Sequence, residues 1–477
     1  MLRHLLVHEF LLCVFLWLGI LSYGLWKQAR AAQHPPKQKA AQRPTRPLPE
    51  KKPFAGLTQK PLCTACEQAE EHGHQAPPAP PPLPASTRGR PREVTTQYQF
   101  CPKPTCRYYG WVGRGNIQAN GHPGGGPWRQ LHCIACGVYF LETHGTPFHG
   151  QRVPAELLVR VVGTLAEGLG IRVVARVFEV DPNTVLGWLS EAADHLQAFS
   201  RYCLHDLQVS QVQLDELFAL VSAVKARQVS DAEAVERLSR SPHWVWVAID
   251  PESKLLLAIE VGERTLAMAQ RLVHQVRQVL ASGCLPLFVT DGLKEYATAL
   301  LTHFGHWVQP PRCQAKGPAP KPRWMPRPEL LYAQVVKMYR RRQLVCMHPR
   351  VVFGTLARVT HVLAPRGWHI NTAFIERVNL TLRHHVAALG RRVMTLCKPE
   401  AGLRAQLHLH HTYYNFCLPH LSLRVPLAHP QPTNGKGSAK RWTPCTPAMA
   451  ARLTNHVWTL REVLLFRVPP WPQPAGR

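Results

Sequence analysis

Apolar and polar residues follow two different periods along this 477-residue chain, and each change of period marks an element. From Pro154 to Glu191 the spacing is helical. A first helix is predicted over Pro154–Leu169, ending near Gly168 and Gly170, and a second over Ile171–Phe178 (IRVVARVF). Val180 closes a turn, Asp181 is placed to cap a third helix, and Pro182 takes that helix's permissive first position. After a helix through Leu196 the period shortens to two. Val209–Val221 (VSQVQLDELFALV), His243–Asp250 (HWVWVAID) and Lys254–Val261 (KLLLAIEV) read as strands, the last two joined by Pro251–Ser253. A helix over Thr265–Leu280, a short buried strand at Leu285–Val289 and a helix over Leu293–Phe304 follow, which predicts an α/β sheet. Beyond Val351–Leu363, the stretch Asn371–Arg392 (NTAFIERVNLTLRHHVAALGRR) is helical again. Its apolar face runs through Ala373, Phe374, Val378, Leu380, Leu382, Val386 and Leu389, with Thr372 as its cap.

Acidic residues stand at unusual places in this pattern. Asp215 and Asp291 interrupt or end apolar strands, where an unpaired carboxylate is costly, so each is expected to be paired or bound to a metal. Asp250 lies at a hairpin, where an aspartate is ordinary turn chemistry, and Glu216 adjoins Asp215. Glu376 shares a helical face with Asn379 and Arg383, at i+3 and i+7. A surface helix laced by ion pairs accounts for that face equally well.

Charge narrows the partners. Lys plus Arg number 57 against 29 Asp plus Glu, a formal charge of +28. Such a surface attracts phosphate polyanions through counterion release, or else anionic lipid. Asn183, Thr184, Gly187 and Trp188 are placed at the start of the third helix, as in a helix-turn-helix that enters the major groove; three packed helices without a DNA role are the alternative. Gln309–Arg342 holds nine Lys or Arg, among them Arg323, Arg340 and Arg341, against Glu329 alone, and it is broken by prolines. It fits a phosphate-contacting excursion or a solvated basic loop better than a folded core.

Of the 14 cysteines, many fall in close pairs, which in a nucleic-acid-binding chain suggests metal ligation more than a disulfide framework. Cys101-x4-Cys106 and Cys133-x2-Cys136 flank a glycine-rich segment (NGHPGGGPW) and predict a zinc ribbon, since four thiolates satisfy tetrahedral zinc. Trp111, Arg114, Trp128, Arg129 and Tyr139 would decorate it, by core packing or DNA contact. Cys63 and Cys66, with His72 and His74, form a second pair that either binds zinc or has no role. They lie in a Pro-rich basic linker that includes PPAPPPLPA. Ahead of it, Phe10–Trp26 is an uncharged apolar run of borderline spanning length followed by basic residues, either a membrane anchor with the remainder cytoplasmic or an apolar helix packed on the protein.

QLDELF around Asp215, VTDGLKEY around Asp291 and the Glu376 helix together resemble the DDE transposases of bacterial insertion sequences, most closely the insertion sequence one family. The resemblance runs from about Cys101 to Arg424 and is most specific at the E-R-x-N-L-x-L-R helix. It implies an α/β fold: a ribonuclease H-like catalytic domain preceded by a zinc ribbon and an all-α helix-turn-helix domain. The divisions are then an apolar N-terminal helix (1–32), a linker (33–100), the ribbon (101–150), the helix-turn-helix (151–200), the catalytic domain (205–425) with a basic insertion (309–345), and a C-terminal tail (426–477). Asp215, Asp291 and Glu376 are implied as a catalytic triad holding magnesium or manganese. Asp215 would bridge two ions, with Asn379 and Arg383 beside the scissile phosphate. Double-stranded DNA, as terminal repeats and target, is the implied partner, bound by a homo-oligomer, with a nucleoid-associated location. Three features depart from the family: the four residues inside the first cysteine pair, the long basic excursion, and the first hundred residues. A DNA-binding regulator with a decayed catalytic domain and a membrane-tethered DNA-binding protein are the rival readings.

Overall fold

The computed structural model describes residues 77–83, 96–219, 243–312, 320–340, 343–390, 400–432 and 438–473. All belong to one compact unit, Thr58–Arg477; the other, Met1–Leu57, lies outside the described residues, and with it the apolar N-terminal stretch. Cys63, Cys66 and Arg341 also lie outside them. Among the described residues no helix is long and apolar enough to cross a membrane.

Strands β1 (Ile117–Ala119), β2 (Gln130–Cys133) and β3 (Tyr139–Leu141) form an antiparallel sheet around Tyr108, Ile117, Leu131 and Phe140. Helices α1 (Ala155–Ala166), α2 (Ile171–Val177) and α3 (Pro182–Cys203) follow. The Asp181 carboxylate accepts the Asn183 N–H at 2.8 Å, as the capping pattern requires. Helix α3 runs past Glu191 because Ala192, Leu196 and Phe199 prolong its apolar stripe, and this second half is buried in the same core as the main sheet. The helical segment therefore shares its core with the sheet.

The main sheet is built from β4 (Gln211–Phe218), β5 (Trp244–Ile249), β6 (Leu256–Gly262), β7 (Leu287–Thr290), β10 (Leu331–Arg340) and β11 (Gln343–Phe353), in the spatial order β11-β10-β7-β4-β5-β6. Strands β4, β5 and β6 are an antiparallel meander, while β7 and β10 add parallel to β4 and to each other. Helix α4 (Leu266–Val279) precedes β7. Helix α5 (Glu295–Phe304) and a small hairpin of β8 (His306–Val308) and β9 (Arg323–Met325) lead from β7 to β10. The expected insertion over 309–345 is thus corrected from Leu330 onward. Leu331, Ala333 and Val335 are buried on one face of β10 and Tyr332 and Gln334 on the other, an alternation masked in the sequence by flanking prolines and arginines.

Helices α6 (Leu356–Leu363), α7 (Ala373–His385) and α8 (Glu400–Thr412) follow β11. Helix α7 is shorter than expected. Val386 turns extended and a 3-10 turn takes over at Ala387–Leu389; residues 391–399 lie outside the described residues. Ile375, Val378 and Leu382 of α7, with Leu403 and Leu407 of α8, cover the face of the sheet formed by Val245, Val247, Leu256 and Ile259. Trp246, Ala248, Phe288 and Tyr332 on the opposite face pack with α4 and α5. The expected tail is also corrected. After a hairpin of β12 (Val425–Gln431) and β13 (Lys440–Thr443), helices α9 (Pro447–Ala450) and α10 (Leu460–Leu465) bury Ala448, Leu460, Val463 and Leu464 in the core. The chain then reaches the segment ahead of β1, where Gln473 donates to the Gly110 carbonyl at 2.9 Å and Trp471 packs edge-on against Tyr109.

Candidate active site

Parallel pairing of β4 with β7 sets Leu214 opposite Thr290, so Asp215 and Asp291 are neighbours one residue farther along. The two carboxylates and that of Glu216 come together, with ligand oxygens all within 4.8 Å of one another. Strand alternation sends Asp215 and Glu216 to opposite faces of β4. On the Asp215 face, α7 is laid across the strand by two side chains. Buried Gln213 donates to the Asn371 carbonyl at 2.9 Å and accepts the Ile375 N–H at 3.0 Å, and Asn379 donates to Asp215 Oδ2 at 2.8 Å. On the other face Arg264 donates twice to Glu216 Oε1, at 2.8 and 2.5 Å, and the Tyr296 hydroxyl donates to Oε2 at 3.2 Å.

Crowding of like charge shows in the protonation. Burial and then the Asp291 carboxylate raise Asp215 to about 7, with Glu376 adding to the effect and Lys337 opposing it. The same two causes, opposed by Arg264, raise Glu216 to about 7. A group of oxygen donors this close and this reluctant to ionise together suits a hard divalent cation, which would neutralise it.

Glu376 stands outside that group of three. It lies on the α7 helix that Asn379 joins to Asp215, but its side chain is 47% exposed and Oε1 is held by Lys337 Nζ and by the Thr372 hydroxyl, the latter at 2.9 Å. Thr372 therefore does not cap the helix through its side chain, and the Asn371 carboxamide accepts the Ala373 N–H at 3.0 Å instead. Arg383 is half-buried on the same helix. Asp250 is a turn residue, accepting the N–H groups of Glu252 and Ser253 at 3.0 and 3.1 Å.

Cys101, Cys106, Cys133 and Cys136 also converge, with their sulfurs within 4.8 Å of one another and Cys101 and Cys136 3.6 Å apart. Four sulfurs at about 2.3 Å from a tetrahedral zinc are about 3.8 Å from each other, so the set fits that ion. Burial raises the Cys101 and Cys106 thiols, whereas at Cys133 the Asn116 amide and nearby backbone N–H groups outweigh burial and favour the thiolate.

No protein-family model matches the chain. No curated protein matches it either. Among solved structures, the Mos1 strand transfer complex is 12% identical, covering 31% of this chain and 55% of that one, with a TM-score of 0.12. A pre-cleavage Mos1 transpososome is 12% identical, covering 32% and 59%, with a TM-score of 0.13. The chain spans little more than half of each Mos1 chain, and likeness at this level fixes neither fold nor function.

Of the expected DNA contacts, Asn183 and Thr184 are exposed at the start of α3, and Arg323 and Arg340 are exposed on β9 and β10. Trp188 is corrected. It is 5% exposed, because Val185, Trp188, Leu189 and Ala192 form the core-facing stripe of α3. In the sequence Lys337 falls within a basic run and Glu216 merely adjoins Asp215, so neither stands out there. The alternation of Leu331, Ala333 and Val335 was the available signal for Lys337, since it continues the same face of β10.

Proposed function

We propose that this chain is a DNA transposase of the DDE type. The ribbon and helix-turn-helix bind the terminal repeats of its element, and Asp215, Asp291 and Glu376 serve metal-dependent strand cleavage and strand transfer. The supporting observation is that Asp215 on β4 stands beside Asp291, the residue just past the end of the adjacent parallel strand β7, with the Glu376 helix joined to Asp215 through Asn379. A meander extended by parallel strands beside its first strand brings the end of β7 next to Asp215 on β4. Asp215, Asp291 and Glu376 offer oxygen ligands only, as magnesium or manganese requires. When bound, the metal ions stabilise the attacking and leaving oxygens of an in-line displacement at phosphorus.

The chain's own residues set the geometry. Gln213 fixes the start of α7, and Asn379 orients the Asp215 carboxylate by occupying Oδ2. Arg264 and Tyr296 hold Glu216 beside this group from the opposite face. In cleavage, water attacks the phosphodiester and the 3′ oxygen leaves. In transfer, the freed 3′-hydroxyl attacks target DNA and displaces a second 3′ oxygen. Arg323 and Arg340 contact phosphates away from the reacting centre, and Asn183 and Thr184 face the groove. Zinc held by Cys101, Cys106, Cys133 and Cys136 stabilises the ribbon.

A second reading replaces Glu376 with Glu216 as the third ligand, favoured by the 4.8 Å group of Asp215, Glu216 and Asp291. The function itself is tested by incubating the full chain with magnesium and labelled DNA from the two flanks of its gene, where the account places terminal repeats. Nicking at the repeat boundary is expected. Specific binding without any cut would instead establish a regulator with a decayed catalytic domain.

A further inference from the structure

Lys337 lies three residues beyond Gln334, the last position of β10 paired to β7, so the strand overhangs the acidic end of the sheet. Gln213, Val289 and Ala333 are in register across β4, β7 and β10. Counting by two from them places Asp215, Asp291, Val335 and Lys337 on one face, the face that α7 covers. There the Lys337 ammonium is bonded to Glu376 Oε1, and its charge also counteracts the rise at Asp215. Basic residues are plentiful in this segment, and this one is bonded to the acid on α7 that stands beside the group of Asp215, Glu216 and Asp291.

The geometry points to Lys337 as a built-in counter-cation that a divalent metal must displace from Glu376. This rests on the proposal that Glu376 is a metal ligand. The ammonium neutralises the acid and occupies its Oε1, while Glu376 stands outside the group of Asp215, Glu216 and Asp291. Metal binding frees the ammonium at the place where the scissile phosphate arrives, so a positive group is delivered only after the site is loaded. The lysine thus sets the metal concentration at which the site assembles. The pair is partly solvated, with side-chain exposures of 24% for Lys337 and 47% for Glu376, so the competition is modest in size.

The test is a manganese titration of the full, zinc-loaded chain, read as free Mn²⁺ by electron paramagnetic resonance, on the native protein, Lys337→Gln and Arg340→Gln. Arg340 lies on the same strand and carries the same charge without pairing to Glu376, so it controls for long-range electrostatics. Lys337→Gln is expected to bind Mn²⁺ about two- to fivefold more tightly than native, with Arg340→Gln unchanged. Equal tightening in both variants, or no change in either, overturns the displacement and leaves the metal site standing. Failure of the native chain and both variants to bind Mn²⁺ overturns the metal site and the displacement together.

Discussion

At the scale of single residues, the candidate site depends on side chains that hold other side chains in place. Asn379 spends its donor on Asp215 Oδ2, and Gln213 ties α7 to β4 through both its amide atoms. Removing such a support from a metal-binding carboxylate typically costs about 10–100-fold in activity or metal affinity. Asn379→Ala is therefore expected to lower magnesium-dependent cleavage by about that factor while leaving binding to end DNA within about twofold. Steady-state cleavage together with a gel-shift titration checks it, and equal losses in both would show a folding defect. Asp215 and Asp291 were legible in the sequence because a carboxylate in an apolar strand demands a partner. Gln213 was not, since an amide in a strand reveals its partner only once α7 has been folded across it.

At the scale of elements, periodicity located most helices and strands, and it failed where local composition contradicted a tertiary role. Strand β10 was concealed among prolines and arginines, yet its Leu331, Ala333 and Val335 complete the parallel half of the sheet. Trp188 was misplaced for the converse reason: the capped N-terminus of α3 suggested exposure, and the apolar stripe decided otherwise. Helix α8 carries a further consequence. Burial lowers His408 and His410 to about 3 and His411 to about 4. His385, His411, Arg404 and Arg201 reinforce the shifts at His408 or His410, and neither ring nitrogen of His410 has a hydrogen-bond partner among the described residues. These histidines are neutral when folded but bind protons near the ordinary value of 6.5 when unfolded. Their stabilisation is therefore fully present above about pH 6.5 and is lost as pH falls toward 4. The thermal midpoint is expected to drop between pH 7 and pH 5, and His410→Phe, which removes an unpaired buried polar ring, should reduce the drop and raise stability at pH 7 by about 1 kcal/mol. A midpoint independent of pH in native protein would contradict the neutral burial.

At the scale of the whole molecule, the described residues are joined more closely than a division into successive modules implies. The last segment returns to the β1–β3 sheet and its flanks, where Arg467 donates to the carbonyls of His144 and Phe100 at 2.8 and 3.0 Å and stacks over Phe100 and Phe140. Nothing in the sequence joins residue 467 to residue 100; only the assembled fold does. Arg467→Ala is expected to destabilise the protein by about 2 kcal/mol, visible as a lower thermal midpoint and faster proteolysis near the ribbon. The basic surface predicts a separate behaviour: Arg323→Gln and Arg340→Gln should each reduce the salt dependence of DNA binding by about one counterion, uniformly across sequences. The central claim is that Asp215, Asp291 and Glu376 together perform the chemistry. It is tested most directly by comparing Glu376→Gln and Glu216→Gln with native protein for binding and magnesium-dependent cleavage of end DNA. The account predicts that both variants bind as native does, that Glu216→Gln still cuts, and that Glu376→Gln does not; cleavage by Glu376→Gln at the native rate would contradict it.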